Sequence, residues 1–382
     1  MQRTRCTLRP WTDPREFCTP AWLMPLLLQH RHPHACNPAT LVLPARHHTT
    51  LVMASILAGL REWFSVAATP PGLLTTFGAL WCLNVARHVA SLLWLHLRPS
   101  SLDRYLVTTS GRPAWALVTG ATGGMGTAFT HQLASRGFNL VLHGRDATKL
   151  NAARDKLASA HPSCQIRTIL LDAATSFSAG GSASDTWLQP LHDIDLTVLV
   201  NNAGGFTEVA RGTLDALSAD RLIGDAAINV MFPTLLIRQA IPLLKRSGRG
   251  LILNVGSLAD QGAPLLGIYP GSKGGMAILA PQLNREMLLQ GIDIEVLHVQ
   301  LGTVYHETQS IVASPSLFVP DARSVVRAAL SKVGCGRHVV VGHWAHSLQF
   351  HALMLAPMSV IDRALIDSMT QLNMEDKDAK QE

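Results

Sequence analysis

Tyr269 and Lys273 stand four residues apart in GIYPGSKGG, residues 267–275. On a helix that spacing puts both side chains on one face. A phenol with an ordinary pKa near 10, set beside an ammonium that favours the phenolate, is a pair able to move a proton. Pro270 fits only a first helical turn, so the helix should begin near Tyr269. Tyr-x-x-x-Lys alone is a weak signal, and its meaning rests on residues upstream. Ser257 ends the apolar run LILNVGS twelve residues earlier, and Asn229 lies in AAINV.

Further upstream, VTGATGGMG (118–126) joins a short apolar strand, AWALVTG, to an amphipathic helix, TAFTHQLASRGF. Gly120, Gly124 and Gly126 fit T-G-x-x-x-G-x-G. Glycines at a strand-to-helix junction let the main chain turn tightly and approach a pyrophosphate at the helix N-terminus. Thr122 and Met125, inside the same loop, are expected against that ligand. Arg145 follows the second strand, NLVLHG. An acid there would favour NAD, whereas a guanidinium suits a 2′-phosphate, so NADP(H) is the expected cofactor. Asp172 ends the strand IRTILLD and is placed either to meet the adenine or to cap a helix. Asn202, Ala203 and Gly204 form NNAG at the end of a fourth strand, LTVLVNNAG.

These residues need elements to hold them. The strands named so far, with LILNVGS and IEVLHVQ, alternate with helical runs. Such alternation predicts an α/β, Rossmann-type doubly wound parallel sheet with helices on both faces. The catalytic domain should span 113–342, followed by an apolar helix and polar tail over 343–382. The Gly/Ser-rich run 175–185 reads as an exposed insertion without chemistry.

Apolar residues make up 47% of the 382-residue chain and charged residues 15%, below the usual ~25%, leaving apolar surface for a membrane. Residues 1–52 hold six arginines against two acids, and so most of the net +6 charge. The rest is nearly neutral, without the basic face that nucleic-acid binding needs. Seven prolines in the same segment erase any period, so it reads as disordered or extraneous, and its histidine run HRHPH as a disordered tract. Its Arg-rich, acid-poor composition also fits a mitochondrial presequence. Six cysteines without C-x-x-C spacing argue against a zinc site or disulfide framework. Residues 53–112 read as a membrane-anchoring region. The run 73–97 is long enough to span a bilayer, but Asn84, Arg87, His88 and Ser91 form a polar stripe along it. It is expected to span with that stripe against protein, or to lie in the membrane surface.

Together these residues resemble the short-chain dehydrogenase/reductase family over about 114–310. The resemblance implies that Tyr269 is the general acid. Lys273 would hold the nicotinamide ribose and lower the tyrosine pKa. Ser257 would bond the substrate carbonyl oxygen, and Asn229 would support a proton-relay water. The main chain near Val304 would meet the nicotinamide amide. The chain departs from the family at Leu301-Gly302, where Pro-Gly is usual, so this loop should be less rigid.

A narrower similarity runs through RPSSLDRYL and WALVTGATGGMGTAFTHQLASRGFNLVL. It points to the membrane-bound branch containing very-long-chain 3-oxoacyl-CoA reductases and 17β-hydroxysteroid dehydrogenases. That implies NADPH, the endoplasmic reticulum membrane with a cytoplasmic catalytic domain, and a lipophilic ketone, foremost a 3-oxoacyl-CoA. A homodimer is left open. The nearest alternative is a steroid or polyketide ketoreductase. A non-catalytic, membrane-tethered NADP(H)-binding protein is the alternative of another class, and the intact Asn229, Ser257, Tyr269 and Lys273 set argues against it.

Overall fold

The computed structural model describes residues 69–175, 187–207, 211–305 and 314–378, with single positions at 58, 61 and 65. The segment 1–52 and nearly all of the polar run 175–185 lie outside the described residues. The chain divides into two compact units, residues 1–80 and 81–382. The second contains the whole sheet and the C-terminal helices.

Seven strands form one sheet: β1 (Ala114–Val118), β2 (Asn139–Gly144), β3 (Ile166–Leu170), β4 (Asp195–Asn201), β5 (Gly250–Val255), β6 (Ile294–Gln300) and β7 (Val339–Val341). Their order is β3-β2-β1-β4-β5-β6-β7, and every pairing is parallel. This is the Rossmann-type sheet expected from the sequence. β7 is the addition, since three valines are too few to show a period.

Successive strand side chains point to opposite faces, so each strand feeds two cores. Ala116, Val118, Leu140, Leu142, Val198 and Val200 pack on one face with helices α2 (Gly124–Ala134), α3 (Ala147–Ala160) and α7 (Ala322–Ser331). Trp115, Leu117, Val141, Leu196 and Leu199 pack on the other, against α5 (Phe232–Arg246) and α6 (Tyr269–Leu289). Helix α4 (Ala219–Ala226) leads into α5 through one π-helical turn, 227–231. Helices α8 (Trp344–Met354) and α9 (Met358–Asp378) complete the described chain.

Helix α1 (Pro70–Leu97) carries the polar stripe predicted for it. Arg87 donates to Asn84 Oδ1 at 3.2 Å, and Arg337 donates to Ser91 Oγ at 2.5 Å. Much of the remaining surface is apolar and uncovered, including Trp81, Leu83, Leu93 and Trp94. Among the described residues, the helical run that meets the length and hydropathy for crossing a membrane is 219–246 rather than α1. Half of its apolar stretch is buried, and its inward side chains build the second core, so it serves as a domain helix.

Candidate active site

The strand order reverses direction between β1 and β4, and ligands of such sheets bind in the crevice beyond the carboxyl ends there. Two glycines shape that crevice. Gly120 turns with φ +63°, a conformation that costs a side chain dearly. A Cβ at Gly120 would also sit 3.1 Å from Ala203 Cα. Gly126, in the first turn of α2, lies so close to the Gly120 carbonyl that a Cβ would collide with it. Thr119 joins the two loops, accepting hydrogen bonds at Oγ1 from the N–H groups of Asn202 and Ala203, both at 2.9 Å. Asn202 returns a bond from Nδ2 to the Thr119 carbonyl, also at 2.9 Å.

The start of α2 is open to an anion. Its N-cap is Gly123, no side chain caps it, and its first turn holds no acid. Thr122 and Met125 are half-buried beside it, with Met125 resting on the core. Arg145 follows β2 directly and is exposed, with no hydrogen bond or ion pair to the described residues. Asp172 accepts from the Ala174 N–H at 2.9 Å, closing a turn after β3. It does not cap one of the described helices. The carboxylate still lies close enough to His143 to act on it electrostatically.

Lys273, Tyr269 and Ser257 meet at the carboxyl end of β5. Helix α6 begins at Tyr269 with Pro270 in its first turn, as the spacing predicts, so Tyr269 and Lys273 share a face. The Lys273 ammonium donates to the Val255 carbonyl at 2.9 Å and lies 5.6 Å from the Tyr269 ring centroid. Ser257 accepts from the Ala259 N–H and is hydrogen-bonded to the Tyr269 side chain. Phe206 packs against Tyr269 with ring centroids 4.7 Å apart. Gly274 and Gly275 have room for a Cβ, and the structure gives no steric reason for them.

Asn229, on the π-helical turn, is buried and fully engaged. It accepts from the Gly205 N–H at 2.9 Å and donates to the carbonyls of Gly205 and Asp225 at 2.7 and 2.8 Å. A Cβ on Gly204 would lie 2.8 Å from Asn229 Oδ1 and 3.1 Å from Lys273 Nζ. Both side chains therefore converge on Gly204, which brings NNAG beside the Ser257–Tyr269–Lys273 group. Val304 rests on the core in the segment leaving β6.

Burial dominates the electrostatics. It pulls Lys273 down to about 8 and, with help from the Lys273 charge, brings His298, buried beneath Gly256, to about 3. Tyr269 is raised by burial. The Ser257 hydrogen bond opposes that rise, and Asp260 adds to it.

Sequence reasoning missed several supporting residues. His143 is held neutral, near pKa 4, by burial, and its Nδ1 accepts from the Gly120 N–H at 3.3 Å. Asp225 accepts from the N–H and hydroxyl of Thr207 at 2.6 and 2.9 Å, tying down the loop after NNAG. These contacts join residues 18 or more apart and leave no periodic trace. The open helix start and the tight glycine turn together fit the pyrophosphate of a dinucleotide.

A family model described as short chain dehydrogenase matches residues 114–314. The very-long-chain 3-oxoacyl-CoA reductase of Aspergillus oryzae is 31% identical over 316 residues, covering 80% of this chain and 87% of that protein. The Caenorhabditis elegans protein of the same name is 31% identical over 258 residues, 66% of this chain and 78% of that one. Among solved structures, a 7β-hydroxysteroid dehydrogenase shares the fold with TM-score 0.57 and 19% identity, covering 66% of this chain and 96% of its own. A short-chain dehydrogenase from Sphingobium yanoikuyae, solved with NADPH, shares it with TM-score 0.53 and 23% identity, covering 65% and 95%. The chain belongs to the short-chain dehydrogenase family. It is accordingly an oxidoreductase.

Gly126→Ala is expected to drive the β1–α2 turn and α2 apart. Dinucleotide binding, followed by fluorescence titration, should be lost, with a clear drop in melting temperature. Retention of both would show that the turn yields where the packing says it does not.

Proposed function

We propose that the chain uses NADPH to reduce a 3-oxoacyl-CoA to the 3-hydroxy form, with Tyr269 as the general acid. The observation that carries this reading is the convergence of Ser257, Tyr269 and Lys273 at the end of β5, beside the glycine turn. Bound NADPH supplies the hydride. Ser257 donates a hydrogen bond to the ketone oxygen, and Tyr269 passes its phenolic proton to that oxygen as charge develops there. Lys273 holds the nicotinamide ribose and keeps a positive charge beside the phenol. Asn229 fixes the loop after β4 and carries the proton-relay assignment with it. Gly120, Thr122, Gly124, Met125, Gly126, Asn202, Ala203, Gly204 and Val304 line the dinucleotide site, and Arg145 takes the 2′-phosphate. Asp172 closes the adenine end.

The substrate class rests on two supports. Relatives about 30% identical are named very-long-chain 3-oxoacyl-CoA reductases. The wall beside Tyr269 is also apolar. Met369 and Leu372 of α9 pack with Ala263, Leu265, Leu266 and Tyr269, and Arg211 donates to the Leu372 carbonyl at 3.0 Å. Such a wall suits an acyl chain. The uncovered apolar side chains of α1 suit a membrane surface, and we place the chain at the endoplasmic reticulum membrane with its catalytic domain in the cytoplasm.

In detergent, NADPH oxidation should be fast with long-chain 3-oxoacyl-CoAs and slow with a 17-ketosteroid or simple aromatic ketones. Tyr269→Phe should lower kcat by about 10²–10⁴-fold while NADPH still binds. Turnover unchanged in that variant would remove Tyr269 from the mechanism, and faster turnover of the steroid would overturn the substrate.

Arg145→Ala should raise the NADPH dissociation constant by about ten- to a hundredfold and leave that of NADH unchanged, because only the 2′-phosphate bonds are lost. Equal weakening of both cofactors would deny Arg145 a part in discrimination.

The pH profile follows from burial. Reduction needs Tyr269 protonated, and its raised pKa keeps it so through neutrality. Lys273 loses its charge near pH 8. Reductive kcat/KM, which reports the free protein, should therefore be flat around neutrality and fall above about pH 8. A decline beginning below pH 7 would contradict this assignment.

A further inference from the structure

The segment 301–304 leaves β6 next to the catalytic group. The Leu301 carbonyl accepts from the N–H of Leu258, the residue after Ser257, at 2.8 Å. One strand away, the Gln300 carbonyl accepts from the Gly342 N–H at 3.1 Å. The next anchor is at Tyr305, whose N–H donates to the Pro320 carbonyl at 2.9 Å. Between these points there is no proline at 301 to stiffen the chain.

His346 occupies that gap. It lies on α8, more than forty residues along the chain, and is fully buried. Its Nδ1 accepts from the Gly302 N–H at 3.1 Å, and its Nε2 lies 3.1 Å from the Thr303 carbonyl oxygen. A main-chain N–H can only donate and a carbonyl can only accept. The ring must therefore be the neutral Nε2–H tautomer, which spans two successive peptide groups. Burial, aided by His343 with its ring centroid 5.4 Å away, favours that neutral form. Gly302 completes the fit, since a Cβ there would stand 2.8 Å from the imidazole.

We propose that His346 is a positioning residue for hydride transfer, holding the Gly302–Thr303 peptides so that the following main chain at Val304 meets the nicotinamide end of the cofactor. This rests on the assignment of Val304 to the cofactor site made above. His346 touches neither substrate nor cofactor and acts through the segment alone. It supplies from a distant helix the rigidity that proline would supply locally.

The test uses the full chain and four variants. His346→Leu removes both hydrogen bonds and keeps an apolar side chain. His346→Asn keeps an acceptor near the Nδ1 position, and His346→Gln a donor near Nε2. Val304→Pro perturbs the segment directly. Each is titrated with NADPH and with adenosine 2′,5′-bisphosphate, which has the adenosine end and no nicotinamide. Melting temperature and kcat per folded molecule are measured alongside.

His346→Leu should weaken NADPH binding and lower kcat, each by about tenfold, the usual scale for losing such bonds. Binding of the bisphosphate should not change, and Asn or Gln should restore part of the loss. A lower melting temperature with NADPH affinity and kcat unchanged would make His346 a structural anchor and overturn the proposal. So would equal weakening of both ligands. If Val304→Pro leaves NADPH affinity intact, the Val304 assignment itself falls. If Val304→Pro weakens NADPH and His346→Leu does not, the positioning role alone falls. Should His346→Leu fail to fold, the Asn and Gln variants carry the same comparison, each lacking one of the two bonds.

Discussion

The close approach of the β1–α2 turn to the segment leaving β4 sets the geometry of everything around it. Thr119, Gly120 and Gly126 bring three pieces of main chain into contact distance, with Asn202 and Ala203 bonded across the gap. No side chain could be accommodated there without moving backbone. This fixes where β4 ends, and so where Gly204 lies relative to Asn229 and Lys273. The glycine turn and the Ser257–Tyr269–Lys273 group are thus one construction. A change at the first is transmitted to the second through the short Thr119, Asn202 and Asn229 side chains, each hydrogen-bonded to main chain.

Burial then decides which basic groups carry charge. Burial keeps His143, His298 and His346 neutral, outweighing the nearby Asp172 carboxylate at His143. As neutral rings, His143 and His346 can accept main-chain N–H bonds, which an imidazolium could not do. Lys273 is different, because its ammonium finds the Val255 carbonyl and retains its proton through neutrality. With His298 uncharged beneath it, Lys273 is the cation set beside Tyr269. Desolvation raises Tyr269 and Asp260 adds to the rise, while the Ser257 hydrogen bond pulls toward the phenolate. Protonated Tyr269 is the form that the proposed reduction needs.

Much of this was legible in the sequence, because it is written in short range. Gly120 and Gly126 lie in one loop, and Tyr269, Pro270 and Lys273 mark the first turns of one helix. The strands up to β6 announce themselves as apolar runs. What escaped reading depends on contacts between distant residues. β7 is only Val339–Val341, and its pairing with β6 defines it. The Thr119 bonds to Asn202 and Ala203 reach across more than 80 residues, and nothing in either segment points to the other. The missing proline at Leu301 could be seen, and it suggested a looser loop. Its compensation could not be seen, because His346 reads as one histidine in an apolar helix until folding brings it to Gly302.

The same long-range logic links the helices flanking the family domain. At the β6–β7 edge, Arg337 reaches Ser91 of α1, and Lys332 donates to the Leu95 carbonyl at 3.0 Å. From the other side, α8 inserts His346 into the segment leaving β6. The end of α1 and the start of α8 are thus fastened to one border of the sheet, the border from which Leu301–Val304 departs. A helix with an uncovered apolar surface is tied there by hydrogen bonds to main-chain carbonyls and a serine, which are short and directional. Displacing the end of α1 would have to break the Lys332 and Arg337 contacts before it disturbed β7. The polar contacts of Lys332 and Arg337 thus fasten α1 to the β7 edge, while its apolar side chains stay uncovered.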